Sequence, residues 1–114
     1  MPYGYHGKIL HLDLTAEKIE VEEPNEAFYR TYLGGSAMGV YYLLKHSPPG
    51  IDPLAPENTL SLMVSVTTGA AISGLCRVAA TAKSPLSGAI GDAQGGGRGK
   101  SLCEDQRRRR QGAR

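Results

Sequence analysis

The sequence predicts an α+β domain in which antiparallel β-sheets are combined with two short helices. Three segments alternate between apolar and polar residues, as is typical of half-buried strands: 8–14, 19–22 and 60–66. Between the second and the third, apolar residues recur at helical spacing in two stretches separated by a pair of glycines. The chain has 114 residues, which is enough for one domain with one modest core.

The first two alternating segments predict a β-hairpin. Leu10, Leu12 and Leu14 share one face of the first segment, so we expect this face to be buried. The intervening residues 15–18 (TAEK) suit a turn. The glutamates in and just after the second segment (Glu20, Glu22 and Glu23) are expected to face solvent.

Two helices are predicted next. Asn25 suits the N-cap of the first helix, and the glycine pair 34–35 would end it. Ser36 then caps a second helix that extends to about Lys45. The glycine pair has two interpretations: a simple helix break, or a close backbone approach to a large ligand whose anionic group meets the second helix.

The middle of the chain predicts one irregular connection and two strands. Residues 47–58 contain four prolines, so we expect an extended connection without regular structure. Strands are predicted at 60–66 and 78–82, with a loop of small residues at 67–74 between them.

The segment 77–97 carries the strongest chemical pattern. A turn at 83–88 (KSPLSG) leads to a run of three glycines that ends at Gly97, and Arg77 and Lys83 flank the strand before it. Cations and free backbone N–H groups together suit a large phosphorylated ligand. The alternative is a hairpin followed by a flexible linker.

Charge divides the chain into two parts. Residues 1–97 carry six basic and nine acidic residues, whereas residues 98–114 carry seven basic and two acidic ones. We therefore expect a domain at 1–97 and a basic, disordered tail at 98–114. This tail supports an alternative function, that of a small noncatalytic protein that contacts nucleic acid.

Other site classes find little support. The sequence Gly99-Lys100-Ser101 resembles the end of a P-loop, but Gln94 stands where that motif requires a glycine. The two cysteines have no cluster spacing, and the three histidines form no catalytic or metal-binding pattern. No apolar run is long enough to span a membrane and no signal peptide is visible, so a cytoplasmic location is expected.

Four ordered motifs carry a family resemblance. They are YGYHGKIL at 3–10, YLGG at 32–35, PGIDPLAPEN at 49–58, and KSPLSG at 83–88 followed by IGD and the glycine run. Together they resemble the N-terminal domain of tungsten-containing aldehyde ferredoxin oxidoreductases, roughly over residues 3–97. The composition changes abruptly after Gly97, which suggests a truncated or frameshifted product.

The resemblance implies a function and its cofactors. Members of this family oxidise aldehydes to carboxylic acids and pass the electrons to ferredoxin. They contain a tungsten or molybdenum bis-pterin with Mg²⁺ and a [4Fe–4S] cluster, and a homodimer is a further expected assembly. The cluster ligands would come from sequence beyond this chain, so the fragment alone is expected to be inactive and to have no catalytic residues.

The resemblance also implies cofactor-binding residues. Arg77 matches an arginine that lies between the cluster and the pterin. Ala93, Gln94, Gly95 and Gly96 match the loop at the pterin phosphates and their bridging Mg²⁺. Four departures leave the substrate open: Ser36 replaces a common arginine, Gln94 an asparagine, residues 75–76 are larger than usual, and 65–69 read SVTTG.

Deletion of residues 98–114 should leave thermal unfolding unchanged, because the segment has no apolar periodicity that could bury it against the domain. Calorimetry of the full and shortened chains would measure this. A large drop in the melting temperature of the shortened chain would show that the segment packs on the domain.

Overall fold

Two antiparallel sheets and two helices make up the part of the chain that the structure describes. This structure is a computed structural model, and it describes residues 5, 7–68, 75 and 77–96. The predicted basic tail, most of the loop 67–74 and both cysteines lie outside these residues. The elements are β1 (Ile9–Asp13), β2 (Lys18–Glu22), α1 (Glu26–Tyr32), α2 (Gly35–His46), β3 (Ser61–Val64), β4 (Val78–Lys83) and β5 (Ile90–Gly95).

The sheet topology confirms the predicted α+β class. Strands β1 and β2 form a two-stranded hairpin, and β3, β4 and β5 form a separate sheet in that order. The last strand completes the hairpin that the sequence left as an alternative for this segment, although its glycines and its aspartate are poor strand formers. Its backbone nevertheless pairs with β4 along its whole length, from Lys83 opposite Ile90 to Val78 opposite Gly95.

The hairpin is turned the other way from the prediction. Leu10 and Leu12 are each 58% exposed, whereas Ile9 is only 9% exposed. Glu22, predicted to face solvent, is half-buried. The alternation defined two faces correctly, but it could not show which face the helices cover.

The helix boundaries confirm one cap and correct another. The backbone N–H of Phe28 donates to Asn25 Oδ1 at 2.9 Å, as an N-cap should. The second helix begins two residues earlier than predicted, with Gly34 rather than Ser36 as its N-cap. A Cβ on Gly34 would lie 2.7 Å from the carbonyl oxygen of Val64, and its φ is +99°. Only glycine fits there, so the pair marks a close approach of the backbone to β3.

An aromatic core joins the hairpin to the helices. Its buried members are Ile9, Tyr29, Met38 and Tyr42, and partly buried aromatic residues surround them: Tyr5, Phe28, Tyr32 and Tyr41. On another part of its surface, α2 meets the three-stranded sheet through Gly39. A Cβ on Gly39 would lie 2.7 Å from Thr81 Oγ1, so a larger residue would push the helix off β4.

The proline-rich connection is anchored to the far end of β4. The Asn58 side-chain amide donates to the carbonyl oxygens of Pro53 at 2.8 Å and Lys83 at 3.0 Å. The Lys83 ammonium in turn donates to the carbonyl oxygen of Ile51. Lys83 therefore holds the connection in place.

Among the described residues, neither helix has the length and apolar character needed to cross a bilayer.

A polar cluster fastens the hairpin to α2. Glu22 Oε2 lies 2.8 Å from His11 Nε2 and accepts a hydrogen bond from the Tyr42 hydroxyl at 2.9 Å. Burial by itself would raise the pKa of Glu22, but these two hydrogen bonds and the charge of Lys45 bring it below its usual value. Burial lowers the pKa of His46 nearby, and His11 and Lys45 lower it further.

Acid should weaken the fold through Glu22. Its pKa is lower in the folded state, so its contribution is complete above the ordinary value of 4.5 and is lost as the pH falls through the folded value. Between about pH 5 and pH 3, the free energy of unfolding should therefore fall less in Glu22→Gln than in the wild type. Urea titrations across this range would measure it.

Glu57→Gln is the matched control, because Glu57 is exposed and its side chain makes no hydrogen bond to the described residues. Protonation of His46 acts in the same direction below about pH 6.5, but both variants retain it. Equal acid sensitivity in Glu22→Gln and the wild type would contradict the assignment.

Candidate cofactor-phosphate site

A cleft opens where the start of α2 meets the neighbouring ends of the three-stranded sheet. Its volume is about 270 Å³. Four parts of the chain line it: the first turn of α2, the turn after β3, β4 with the residues that lead into it, and β5. The lining residues are Gly35, Ser36, Ser65, Thr67, Leu75, Arg77, Ala79 and Gln94.

The N-terminus of α2 faces this cleft without a side-chain cap. Gly34 offers no side chain, and the first turn contains no acidic residue. The first N–H groups of a helix have no partner within the helix and carry partial positive charge. The cleft therefore has backbone donors at one wall that suit an anion.

Arg77 supplies a full positive charge at the same place. The residue is exposed and directly precedes β4. Its side chain forms no ion pair within the described part of the chain. Its carbonyl oxygen accepts a hydrogen bond from Thr68 Oγ1 at 3.2 Å, which ties the start of β4 to the turn after β3.

The turn after β3 adds hydroxyl groups. The backbone N–H of Ser65 donates to Thr68 Oγ1 at 3.0 Å, and that of Thr68 donates to the carbonyl oxygen of Ser65 at 3.0 Å. Ser65 also forms an isolated bridge with Gly34. These bonds hold Ser65 and Thr67 at the cleft. Our sequence reasoning did not propose either residue, although the run of hydroxyl residues was a usable signal.

A side-chain network joins α2 to the edge strand β5. Ser36 Oγ donates to Asp92 Oδ1 at 2.9 Å, and Gln94 Nε2 donates to Ser36 Oγ at 3.4 Å. In the sheet, Asp92 is paired with Thr81 and Gln94 with Ala79, so both side chains lie on the face that α2 covers. Ser36 thus acts as a link between the helix and β5 rather than as a cap.

The remaining predicted residues lie at the end of β5. Gly95 is paired with Val78, so Gly96 and Arg77 lie at the same end of the two strands. A Cβ on Gly95 or Gly96 would meet nothing within 4 Å, and neither residue has a left-handed φ. Packing against the described residues therefore does not explain these glycines, whereas close approach of a ligand would.

The structure brings together some of the predicted residues and separates others. Arg77 and Gln94 line the cleft, and Gly95 and Gly96 follow at its edge. Ala93 is paired with Ala80 and lies on the opposite face of the sheet, so only its main chain is near. Lys83 is at the far end of β4, about 20 Å from Arg77 along the strand.

The chemistry of the cleft suits phosphate groups but not a metal cluster. An arginine, backbone N–H groups and hydroxyls are all donors that phosphate oxygens accept. Among the described residues, no three His, Cys, Asp or Glu side chains are placed to hold a metal ion. The cleft is also smaller than the roughly 300–1,000 Å³ of typical ligand pockets, so it can form only part of a site for a large cofactor.

Comparison with known proteins identifies the family. The family model described as the N-terminal domain of aldehyde ferredoxin oxidoreductase matches residues 9–104. The chain belongs to this family. The match extends past Gly97, where the resemblance in the sequence motifs ended. Membership confirms that the chain is related to oxidoreductases.

Named relatives support the same conclusion. A tungsten-containing aldehyde ferredoxin oxidoreductase of Pyrococcus abyssi is 41% identical over 95 residues, which cover 83% of this chain and 16% of that protein. The Pyrococcus furiosus protein of the same name is 37% identical over 95 residues, with the same coverage. An aliphatic sulfonate oxidoreductase, WOR-like subunit, from Pyrococcus furiosus is 37% identical over 70 residues, which are 59% of this chain and 11% of that one.

A solved structure shows the same fold. It is the active site complex BamBC of benzoyl coenzyme A reductase in complex with 1,5-dienoyl-CoA, with a TM-score of 0.76 and 28% sequence identity. The match covers 82% of this chain and 14% of that one. The chain therefore spans about a sixth of the length of the curated relatives first named above.

The Ser36–Asp92 hydrogen bond should hold β5 against α2. Asp92→Ala removes the acceptor, and a hydrogen bond contributes about 0.5–1.5 kcal/mol, so local opening of β5 should increase roughly two- to tenfold. Amide hydrogen exchange of residues 90–95 would measure it. Asp92→Asn, which keeps an acceptor oxygen, is the control and should exchange nearly as the wild type does. Unchanged exchange in Asp92→Ala would show that the bond does not hold the strand.

Proposed function

We propose that this segment holds the phosphate groups of a tungsten or molybdenum bis-pterin in an oxidoreductase that converts aldehydes to carboxylic acids. One observation carries the proposal: Arg77, Gln94 and the uncapped N-terminus of α2 meet at one cleft, and Gly95 and Gly96 follow Gln94 at its edge. The names of the relatives supply the metal and the reaction class.

Each residue of the cleft has a separate task in this proposal. The Arg77 guanidinium, which the resemblance matches to an arginine between the cluster and the pterin, would donate hydrogen bonds to oxygens of the cofactor, and its planar fork also suits phosphate oxygens. The N–H groups at the start of α2 would bind a second set of oxygens. Gly95 faces the other side of the sheet, so only its main chain would be near the phosphates. The absence of a side chain at Gly96 would let the phosphates reach the main chain where β5 ends.

The residues at the end of β5 would also approach the cation that phosphates attract. Mg²⁺ prefers oxygen ligands, and the main-chain carbonyl of Gln94 is the oxygen that we assign to it. The Ser36–Asp92–Gln94 network would keep this part of β5 in place while the ligand binds. The Asp92 carboxylate accepts a hydrogen bond from Ser36 Oγ, so this bond would hold it away from the phosphates.

The redox chemistry would come from the cofactors and not from this chain. The bound metal would supply the two-electron oxidation of the aldehyde, and a [4Fe–4S] cluster would pass the electrons to ferredoxin. This chain's own contribution is to bind and orient one end of the pterin. We therefore propose that the segment alone is inactive and that it works in the cytoplasm within a longer assembly, with a homodimer as one form.

The proposed substrate class is taken from the relatives that match this chain over 95 residues. The relative with the 70-residue match is named for aliphatic sulfonates, and the solved neighbour is named for benzoyl coenzyme A. The cleft binds the phosphate end in every version of the proposal, so it does not select among these substrates. The aldehyde assignment follows the tungsten-containing aldehyde ferredoxin oxidoreductases, which match over 95 residues.

Substitution of Arg77 tests the proposal in a full-length protein. Residues 9–96 of this chain would replace the matched segment of the Pyrococcus abyssi relative, which is 41% identical. Arg77→Ala leaves phosphate oxygens without a donor, at about 1–3 kcal/mol for each group, so tungsten retained per chain should fall roughly five- to 150-fold under dilution. Arg77→Lys keeps the charge without the fork and should retain the metal but slow aldehyde oxidation.

Arg30→Ala is the matched control, because Arg30 is an exposed arginine on α1 whose partner is Glu26. It should retain both the metal and the activity. Tungsten content would be measured by mass spectrometry and turnover with an artificial electron acceptor. Full metal content and full activity in both Arg77 variants would make Arg77 an ordinary residue at a strand end.

A further inference from the structure

The outer face of the three-stranded sheet is apolar throughout. Residues paired across a sheet share a face, and the pairings place together the residues that α2 does not cover. These are Leu62, Val64, Val78, Ala80, Ala82, Gly91, Ala93 and Gly95. Not one of them is charged or polar. Leu62 is 65% exposed, so no described residue covers its side chain.

The hairpin has a second face of the same kind. Leu10 is opposite Val21 and Leu12 is opposite Ile19, so the four side chains form one patch. Their exposed fractions are between 56% and 67%. Soluble proteins rarely leave contiguous apolar faces in water, and those that do usually use them for contact with another polypeptide.

Each of these sheets is covered by helices on its other face only. Ile9 of β1 packs into the core cluster with Tyr29 and Met38. Thr81 of β4, which is 0% exposed, lies beneath Gly39 of α2. Each sheet also has an outward face that is apolar, and an apolar face needs a layer that covers it. The described residues supply one layer for each sheet, and the second is missing.

The size of the faces argues against a second copy of this chain as the cover. Three strands of four to six residues make a patch of about 14 Å by 20 Å, and the hairpin patch is about 10 Å by 17 Å. Both are well below the roughly 800 Å² that each partner buries in a standard interface. A stable contact must therefore extend beyond either face, as it does when a longer polypeptide wraps around the domain.

The relatives provide such a polypeptide. The 95 residues matched in the Pyrococcus abyssi relative are 16% of that protein, so most of its chain lies outside the segment described here. We propose that the two outward apolar faces of this domain are docking surfaces for the polypeptide that accompanies this segment in the longer family members. This inference rests on family membership and on the two faces, and it does not depend on the phosphate site.

Cysteine accessibility would test the docking directly. Leu12→Cys and Leu62→Cys place a thiol on each face, and Thr15→Cys places one in the exposed hairpin turn as the control. Each variant is made in this chain alone and in the chimaera in which residues 9–96 replace the matched segment of the Pyrococcus abyssi relative. N-ethylmaleimide labelling of each site is followed by peptide mass spectrometry, which separates it from other cysteines.

Labelling at positions 12 and 62 should be at least about tenfold slower in the chimaera than in the lone chain, and labelling at 15 should be equal in both. Equal rates at 12 and 62 would overturn the proposal. Slow labelling in the lone chain, with the mass of two copies by light scattering, would assign the faces to self-association instead. An insoluble chimaera would also count against the proposal, because the faces would then not fit the relative's polypeptide.

Discussion

The close contact between α2 and the three-stranded sheet is the constraint on which the rest of the structure depends. Gly39 lies against Thr81, and Gly34 lies against the carbonyl oxygen of Val64. Side chains at either glycine would lift the helix and remove its first turn from the ends of β3 and β4. Because both contacts are tight, the N-terminus of α2 is fixed beside Arg77 without any direct bond between them.

The hairpin shows that polar residues can decide which side of a sheet faces inward. Four of its aliphatic residues, Leu10, Leu12, Ile19 and Val21, face out, and the inner side contains Ile9 together with Glu22 and His11. Burial of a carboxylate is costly unless donors satisfy it, and Tyr42 and His11 provide them. The aliphatic face is thus left for another layer, so the fold of this segment is best understood as part of a larger packing arrangement.

The cleft, like the outward faces of the sheets, can form only part of a larger contact. It is lined by an arginine, hydroxyl groups and the start of α2, yet it is too small to enclose a large cofactor, since its volume is about 270 Å³. In the proposed function, a domain that forms one wall of a site would bind only the phosphate end of a cofactor. The relatives are named for aldehydes and sulfonates, and the structural neighbour for a coenzyme A thioester. Domains of this fold thus occur in proteins that are named for different substrates.

The sequence by itself determined the α+β class, the N-cap at Asn25, the order of the elements and the family, because these depend on local patterns and ordered motifs. It also singled out Arg77 and Gln94, which the fold brings to one cleft. Only the tertiary structure decided that the leucine face of the hairpin points outward and that Ser36 donates a hydrogen bond to Asp92. It also decided that the first glycine of the run, Gly95, is the last residue of strand β5. Each of these depends on a partner distant in sequence, and a pattern of period two or 3.6 defines faces without specifying what covers them.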